Sequence, residues 1–303
     1  MEKILVGVDG SVPARAAIRW SVERARSHST PVVLVHVMDD EWGVMGSQLV
    51  GDENEAARDI LNVSAEFAQD LAPHLEISTV LASGSPMWEL SQLSSIDTLI
   101  VVGTHKTGFH YGRAFGSRSL QLASLAAGPV AVIPESGLSM RQGVIVGIDG
   151  SPAGQVALDI AADEADRSGA ELTLVRASND SVPPFLDEAG RRDWQAQRDA
   201  AAHRALADAV SRVHVVHPDL ATRSRIIQRT PGAALTDVAR TAELVVIGSS
   251  RRSGPGSNVL GTVAHDVLLN MVCPTVVVHA PVGGRTPLEH HHGQRAEQHE
   301  PVG

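Results

Sequence analysis

Cysteine is nearly absent: Cys273 is the only one in 303 residues. That excludes an intrachain disulfide and any paired-cysteine metal motif. Lying just before an apolar run, Cys273 reads as a small buried hydrophobe. Aromatic residues are scarce too, with four Phe, one Tyr and four Trp, so aliphatic side chains must build the core. An excess of positive charge is also missing. The net charge is −10, which argues against a nucleic-acid partner, because phosphate backbones call for a basic face. No apolar run reaches the ~20 residues of a membrane span. No signal-peptide pattern precedes the strand-like run within Met1–Val8, so the expected location is cytoplasmic and no membrane partner is expected.

What is present is an ordinary apolar fraction, 43% against 20% charged residues, which suits a soluble globular chain. The length predicts about two domains. The most informative stretch is 99–134. Thr98–Val102 reads as a buried strand ending at Gly103. The polar loop THKTGFHYGRAF closes on Gly116–Ser117, a helix covers Arg118–Ala127, and PVAVIP from Pro129 is a second strand. A strand that delivers glycines and a hydroxyl to a helix start is suited to holding phosphate. Glycine admits close backbone approach, and the free amides of a helix N-terminus point at the anion. The arrangement occurs twice. LVVI ends in Gly248, a second loop closes on Gly261–Thr262, and PTVVVH follows from Pro274. Gly103 to Gly116 is 13 positions, and so is Gly248 to Gly261.

The rest of the chain repeats as well. Lys3–Val8 closes on Asp9–Gly10–Ser11 and leads into a helix over Ala14–His28. Gly143–Ile148 closes on Asp149–Gly150–Ser151 and leads into a helix over Ala153–Ser168. Strands over Pro31–Val37 and Glu171–Val175 come next. Long helices follow over Glu53–Leu71 and Asp187–Val213, the second read as amphipathic, then strands over Glu76–Leu81 and Thr222–Gln228 and short helices from Gly84 and Pro231. Met38–Gly51 reads as a loop. The offset between the copies is 140 residues at Asp9/Asp149 and 145 at Gly103/Gly248. The second copy therefore carries an insertion of five residues, for which Asn179–Gly190 is a candidate. Alternating strands and helices predict βαβ units with a parallel sheet in each copy, an α/β fold. The expected domains are 1–138 and 143–281, with a linker within Glu135–Gln142. A tail over 282–303 lacks apolar periodicity and is expected to be disordered; its His290–His292 run reads as incidental.

These paired motifs resemble the universal stress protein family, two domains in tandem. The resemblance rests on VGVDGS and VGIDGS after strand one, LVHV and LVRA at strand two, the glycine loops closing on Gly-Ser and Gly-Thr, and the terminal PVAVI and PTVVV strands. It covers about 1–280. It implies a Rossmann-like fold of the adenine nucleotide alpha hydrolase type, each domain an open five-stranded parallel sheet in order 3-2-1-4-5 flanked by helices. In such sheets ligands bind where strand order reverses, between strands one and four.

The resemblance further implies an adenine nucleotide, ATP with accompanying Mg, on a loop of pattern G-x2-G-x9-G-[S/T]. Carried over, its residues are Gly103, Gly116 and Ser117 in the first half and Gly248, Gly261 and Thr262 in the second. Lys106 and Arg251 stand at the second glycine position, a departure in both halves. Either cation blocks the close approach of phosphate, or it adds a charge-assisted contact to it. Asp9 and Asp149 match the aspartate near the nucleoside, with a helix-capping Asp-Gly turn as the competing reading. Val37 and Ala177 match the position whose backbone meets adenine. His36 reads as a packed strand residue, with Arg176 at its counterpart. Lys106, Arg113 and Arg118 form a basic group about the first loop, as do Arg251 and Arg252 about the second. Trp42, Met45, Met87 and Trp88 are candidates to cover a cleft or to fill a contact.

No catalytic set accompanies these positions: there is no GxSxG elbow, no HExxH and no GK[ST] loop. His105 and His110 have no nucleophile to activate. The expectation is a stress-response sensor or regulator that binds nucleotide without dedicated catalysis, slow incidental hydrolysis aside. The competing reading is a scaffold that binds no nucleotide and acts through an unidentified protein partner. A third, an adenylating or hydrolysing enzyme, lacks its loop motif. The resemblance also implies pairing through the strand-five edges, Val130–Ile133 and Thr275–Val278, either within one chain or in a homodimer.

Overall fold

In the computed structural model, which describes residues 1–27, 29–39, 47–105, 108–110, 113–115, 117–135, 141–178, 182–250 and 259–280, the apolar runs form strands. The first half comprises β1 (Lys3–Gly7), α1 (Val12–Arg26), β2 (Val32–Met38), α2 (Ser47–Leu71), β3 (Ile77–Ser83), α3 (Pro86–Gln92) and β4 (Thr98–Thr104). It continues with β5 (Gly108–His110), β6 (Arg113–Phe115), α4 (Ser117–Leu125) and β7 (Val130–Pro134). The second half comprises β8 (Val144–Gly147), α5 (Pro152–Ser168), β9 (Leu172–Ala177), α6 (Glu188–Val216) and β10 (Thr222–Ile227). It ends with α7 (Pro231–Ala239), β11 (Leu244–Ser249), α8 (Thr262–Leu269) and β12 (Thr275–His279).

Within each half the strands are parallel and lie in order 3-2-1-4-5, as β3-β2-β1-β4-β7 and β10-β9-β8-β11-β12. The inner strands are largely buried on both faces, which is why they read as unbroken apolar runs, whereas the edge strands β3 and β10 are exposed or half-buried. In β4, Leu99 and Val101 face the layer of α1, α2, α5 and α6, while Ile100 and Val102 face α3, α4, α7 and α8. Ser11 and Ser151 cap α1 and α5, accepting the N–H of Ala14 and Gly154 at 3.3 and 3.0 Å. At the far end of α5, Gly169 takes the left-handed conformation at φ 65° and closes the helix, and Ser29 makes the matching turn in the first half at φ 50°.

The two halves fuse. β12 pairs antiparallel with β7 (Thr275 opposite Val132, Val276 opposite Ala131, Val277 opposite Val130), giving one sheet of ten strands. The strand-five edges expected to pair within or between chains thus satisfy each other inside one chain. Both are occupied, so a homodimer through those edges has no free strand in this arrangement. The open edges are β3 and β10 instead. Near this seam His279 is buried, its Nδ1 and Nε2 lying 3.0 and 2.8 Å from the carbonyl oxygens of Ser249 and Ala123. Ala123 lies in the last turn of α4, where carbonyls lack helical partners.

Several boundaries depart from expectation. α2 begins at Ser47, inside the segment read as loop, with Gly51 within the helix; one glycine costs a helix about 1 kcal/mol and need not end it. The loop after β4 contains a short antiparallel ribbon, β5 with β6. α1 ends at Arg26, two residues early. The inserted residues fall mainly in α6, 29 residues long against 25 in α2, rather than in the preceding loop. α6 is also less amphipathic than its reading: its buried side chains, Ala202, Leu206, Ala209 and Val213, all lie in its second half. The linker residues 136–140 and the tail from 281 onward lie outside the described residues.

Cys273 is fully buried, as its setting in the sequence suggested. Burial pushes its thiol up to about 12 from an ordinary 9.0, with Arg141 pulling weakly the other way. The thiol is therefore protonated in the folded chain at pH 8 and should not react with an aromatic disulfide reagent until the protein unfolds. Because the folded value lies above the unfolded one, its contribution to stability is present below pH 9.0 and declines as pH rises toward 12. Stopped assays with and without urea at pH 8 check the first point.

Candidate functional site

Strand order reverses between β1 and β4 and again between β8 and β11, and a cleft opens beyond the carboxyl ends of each pair. The first, of about 190 Å3, is lined by Val8, Asp9, Ser11, His36, Val37, Met87, Leu90, Gly103 and Arg118, among others. The second, of about 200 Å3, is lined by Ile148, Asp149, Gly154, Arg176, Ala177, Leu235, Gly248, Ser249, Gly261 and Thr262, among others. Asp9 and Asp149, Val37 and Ala177, and Gly103 and Gly248 thus take corresponding places in the two clefts.

Asp9 and Asp149 are exposed at the mouths. Oδ1 of each accepts the N–H of the serine two residues on, at 3.0 and 2.8 Å. The turn-forming role and a place in the cleft are therefore both realised. Gly103 and Gly248 have a packing role that the sequence did not disclose. A Cβ on Gly103 would lie 2.2 Å from the carbonyl of Pro13, and one on Gly248 would lie 2.5 Å from the carbonyl carbon of Ala153. The start of α1 or α5 rests directly on each glycine, so backbone, not a flexible side chain, would have to move.

The helix start at the mouth of the second cleft is arranged differently. Gly261 occupies the cap position of α8 with an extended φ/ψ of −58°/146° and supplies no side-chain cap. Its own N–H donates to Ser249 Oγ at 3.0 Å, which fastens the end of β11 to the start of α8. The first-turn amides beyond it, beginning at Thr262, carry the partial positive charge of a helix N-terminus. In the first half Ser117 opens α4, and Thr104, the counterpart of Ser249, donates instead to the carbonyl of His105 at 3.0 Å. Gly116, Lys106 and Arg251 lie outside the described residues, as do Arg252, Trp42 and Met45.

His36 and Arg176 serve one purpose by different means. Nδ1 of His36 lies 2.7 Å from the carbonyl oxygen of Val8, and Nη1 of Arg176 donates to that of Ile148 at 3.1 Å. Each tethers strand two to the residue after strand one while lining its cleft. Arg118 reaches the mouth of the first cleft and lies 3.8 Å from Asp39, whereas Val263 holds its place in the second. Met87 lines the first cleft; Trp88 is 51% exposed and lies outside it. Sequence reading missed Leu90 with Leu235 and Thr104 with Ser249. The hydroxyl after the first loop glycine in both copies, Gly-Thr and Gly-Ser, was a visible signal for the last pair.

Among the described residues no group of three or more His, Cys, Asp and Glu is placed to hold a metal ion, and no helix is long and apolar enough to cross a membrane.

Two copies of the same cleft agree with what comparison of the chain finds. The profile of the universal stress protein family matches residues 1–134 and again 140–279. The chain belongs to the universal stress protein family. A universal stress protein of Mycolicibacterium smegmatis is 30% identical over 288 residues, covering 91% of this chain and 96% of that protein. One from Mycobacterium tuberculosis is 30% identical over 305 residues, covering 92% and 95%. The crystal structure of a universal stress protein from Archaeoglobus fulgidus superposes with a TM-score of 0.68 at 16% identity, covering 92% of this chain and 98% of that one. The tandem organisation of these universal stress protein domains thus extends along whole relatives.

Placing a methyl group at Gly103 or Gly248 should destabilise the protein whether or not ligand is present. Gly103→Ala and Gly248→Ala are each expected to cost about 1–3 kcal/mol from forced backbone displacement, read as a lower urea midpoint of the ligand-free protein.

Proposed function

We propose that this tandem universal stress protein binds adenine nucleotide, ATP in the first instance, in the two clefts, and acts by occupancy as a sensor or regulator without dedicated turnover. The observation that carries the reading is the contrast between helix starts around the second cleft. Ser151 caps α5 with its side chain, whereas α7 and α8, whose first residues also line the cleft, have no side-chain cap. An anion at the mouth is suited to the uncapped amides, as phosphates are at other helix N-termini. Asp149 and Ala177 line the same cleft, where the nucleoside would lie. In the first cleft Asp9 and Val37 take the corresponding positions, with Arg118 at the mouth and Gly116 and Ser117 on the phosphate side by the sequence match. Mg would accompany the phosphates of the nucleotide rather than sit on a dedicated carboxylate cluster. Bound nucleotide would alter a partner surface at the cleft mouths.

One observation favours the competing scaffold reading. Gly103 and Gly248 are required by the approach of α1 and α5, so their presence does not depend on a ligand. On that reading Lys106 and Arg251 fill the phosphate positions, and protein contacts alone carry the function.

The deciding experiment is calorimetric titration of ATP into nucleotide-stripped protein, with ADP and cyclic AMP alongside and mass spectrometry of any co-purified ligand. Aspartate at Gly261 preserves a good helix cap and sets a carboxylate where the phosphates belong. The G261D variant should retain its melting temperature and bind ATP in the second cleft at least about tenfold more weakly, a loss of about 1.4 kcal/mol. No co-purified nucleotide and no heat at millimolar ATP, in folded protein, overturns the nucleotide reading in favour of the scaffold.

A further inference from the structure

The antiparallel seam relates the halves by an approximate two-fold axis near Ala131 and Val276, so equivalent positions of the two copies meet across it. With the offset of 140 that holds in this part of the chain, the last turns of α1 and α5 are such equivalents. They differ in charge: Arg24 corresponds to Glu164, and Arg26 to Asp166. Arg24 Nη2 donates to Glu164 Oε2 directly across the axis, with side-chain exposures of 10% and 8%. The same oxygen accepts from Arg167 Nε at 3.0 Å. The guanidinium of Arg24 lies 3.8 Å from the Trp20 ring, whose equivalent is Ile160. Behind α5 the acidic turn is engaged from its own half, where His217 lies 3.0 Å from Asp163 and 3.3 Å from Asp166.

We infer that this pair is a heterotypic lock, which makes the seam face of each half fit the opposite half and reject a copy of itself. Two first halves about the same axis would set Arg24 against Arg24 in a desolvated site. Two second halves would set Glu164 against Glu164, each still held by its own Arg167 but without the second guanidinium that Arg24 supplies. Such like-charge juxtapositions cost several kcal/mol, and an uncompensated buried charge is as harmful. The lock goes beyond the hydrogen bonding of β7 to β12, because backbone pairing does not distinguish one half from the other. Its fitting partner is thus the second half of this chain, or the second half of another copy in an exchanged arrangement.

The test reverses the charges in the full-length chain. R24E alone and E164R alone each place like charges at the axis, and each should lower the melting temperature by at least about 6 °C, as breaking a buried pair does in a chain of this size. The combined R24E/E164R chain restores opposite charges in exchanged order and should recover more than half of that loss. A combined variant that melts no higher than the less stable single variant overturns the lock, as do single variants that melt with the wild type. If a reversal yields no soluble protein, the neutral set R24Q, E164Q and R24Q/E164Q is compared by urea midpoint. Non-additive losses support the lock and additive ones overturn it.

Discussion

Hydrogen bonding between β7 and β12 closes the strand-five edge that each five-stranded sheet would otherwise leave open. Both strands are apolar and fully buried, and an exposed edge of that character invites pairing with other chains. Inside this chain the two edges cover each other. The apolar layers on either face of the sheet run through both halves without a break: Ala131, Ile133, Val276 and Val278 belong to one layer, and Val130, Val132 and Val277 to the other. The second half is thus not a bead on a string but a continuation of one core. The clefts, the helix starts and the charged contact at the axis all keep their positions because the central four strands, β4, β7, β12 and β11, do.

Much of this was legible in the residues. Parallel strands buried on both faces announce themselves as β-branched runs such as PVVLV and LVVI, and Ser-x-Pro or Ser-Pro after Asp-Gly marks a helix start. The repeat of those signals fixed the two α/β halves and the corresponding places of Asp9 with Asp149 and of Val37 with Ala177. What stayed hidden depends on contacts made far along the chain. Nothing in the neighbourhood of Gly103 says that the carbonyl of Pro13 will rest upon it, and nothing near His36 says that it shares a task with Arg176. The onset of α2 was missed for another reason: Gly51 is a weak breaker, and the helix runs through it.

The two copies also show which features of a cleft are structural and which are open to change. The aspartate turn, the glycine under the helix start and the tether to the residue after strand one recur in both halves. The tether survives a change from imidazole to guanidinium because only a donor aimed at a carbonyl is needed. At the mouths, by contrast, Arg118 answers Val263. The mouths thus differ between the copies over a frame that packing holds constant.

Because β7 and β12 run in opposite directions while all strands within a half run together, the carboxyl ends of the two sets of strands point to opposite rims of the common sheet. The two mouths therefore look away from each other. A single flat surface laid against one rim would cover one mouth and leave the other open to solvent. Any protein that reads both at once has to reach around the edge of the sheet, or else two readers bind back to back, with this chain as the spacer between them.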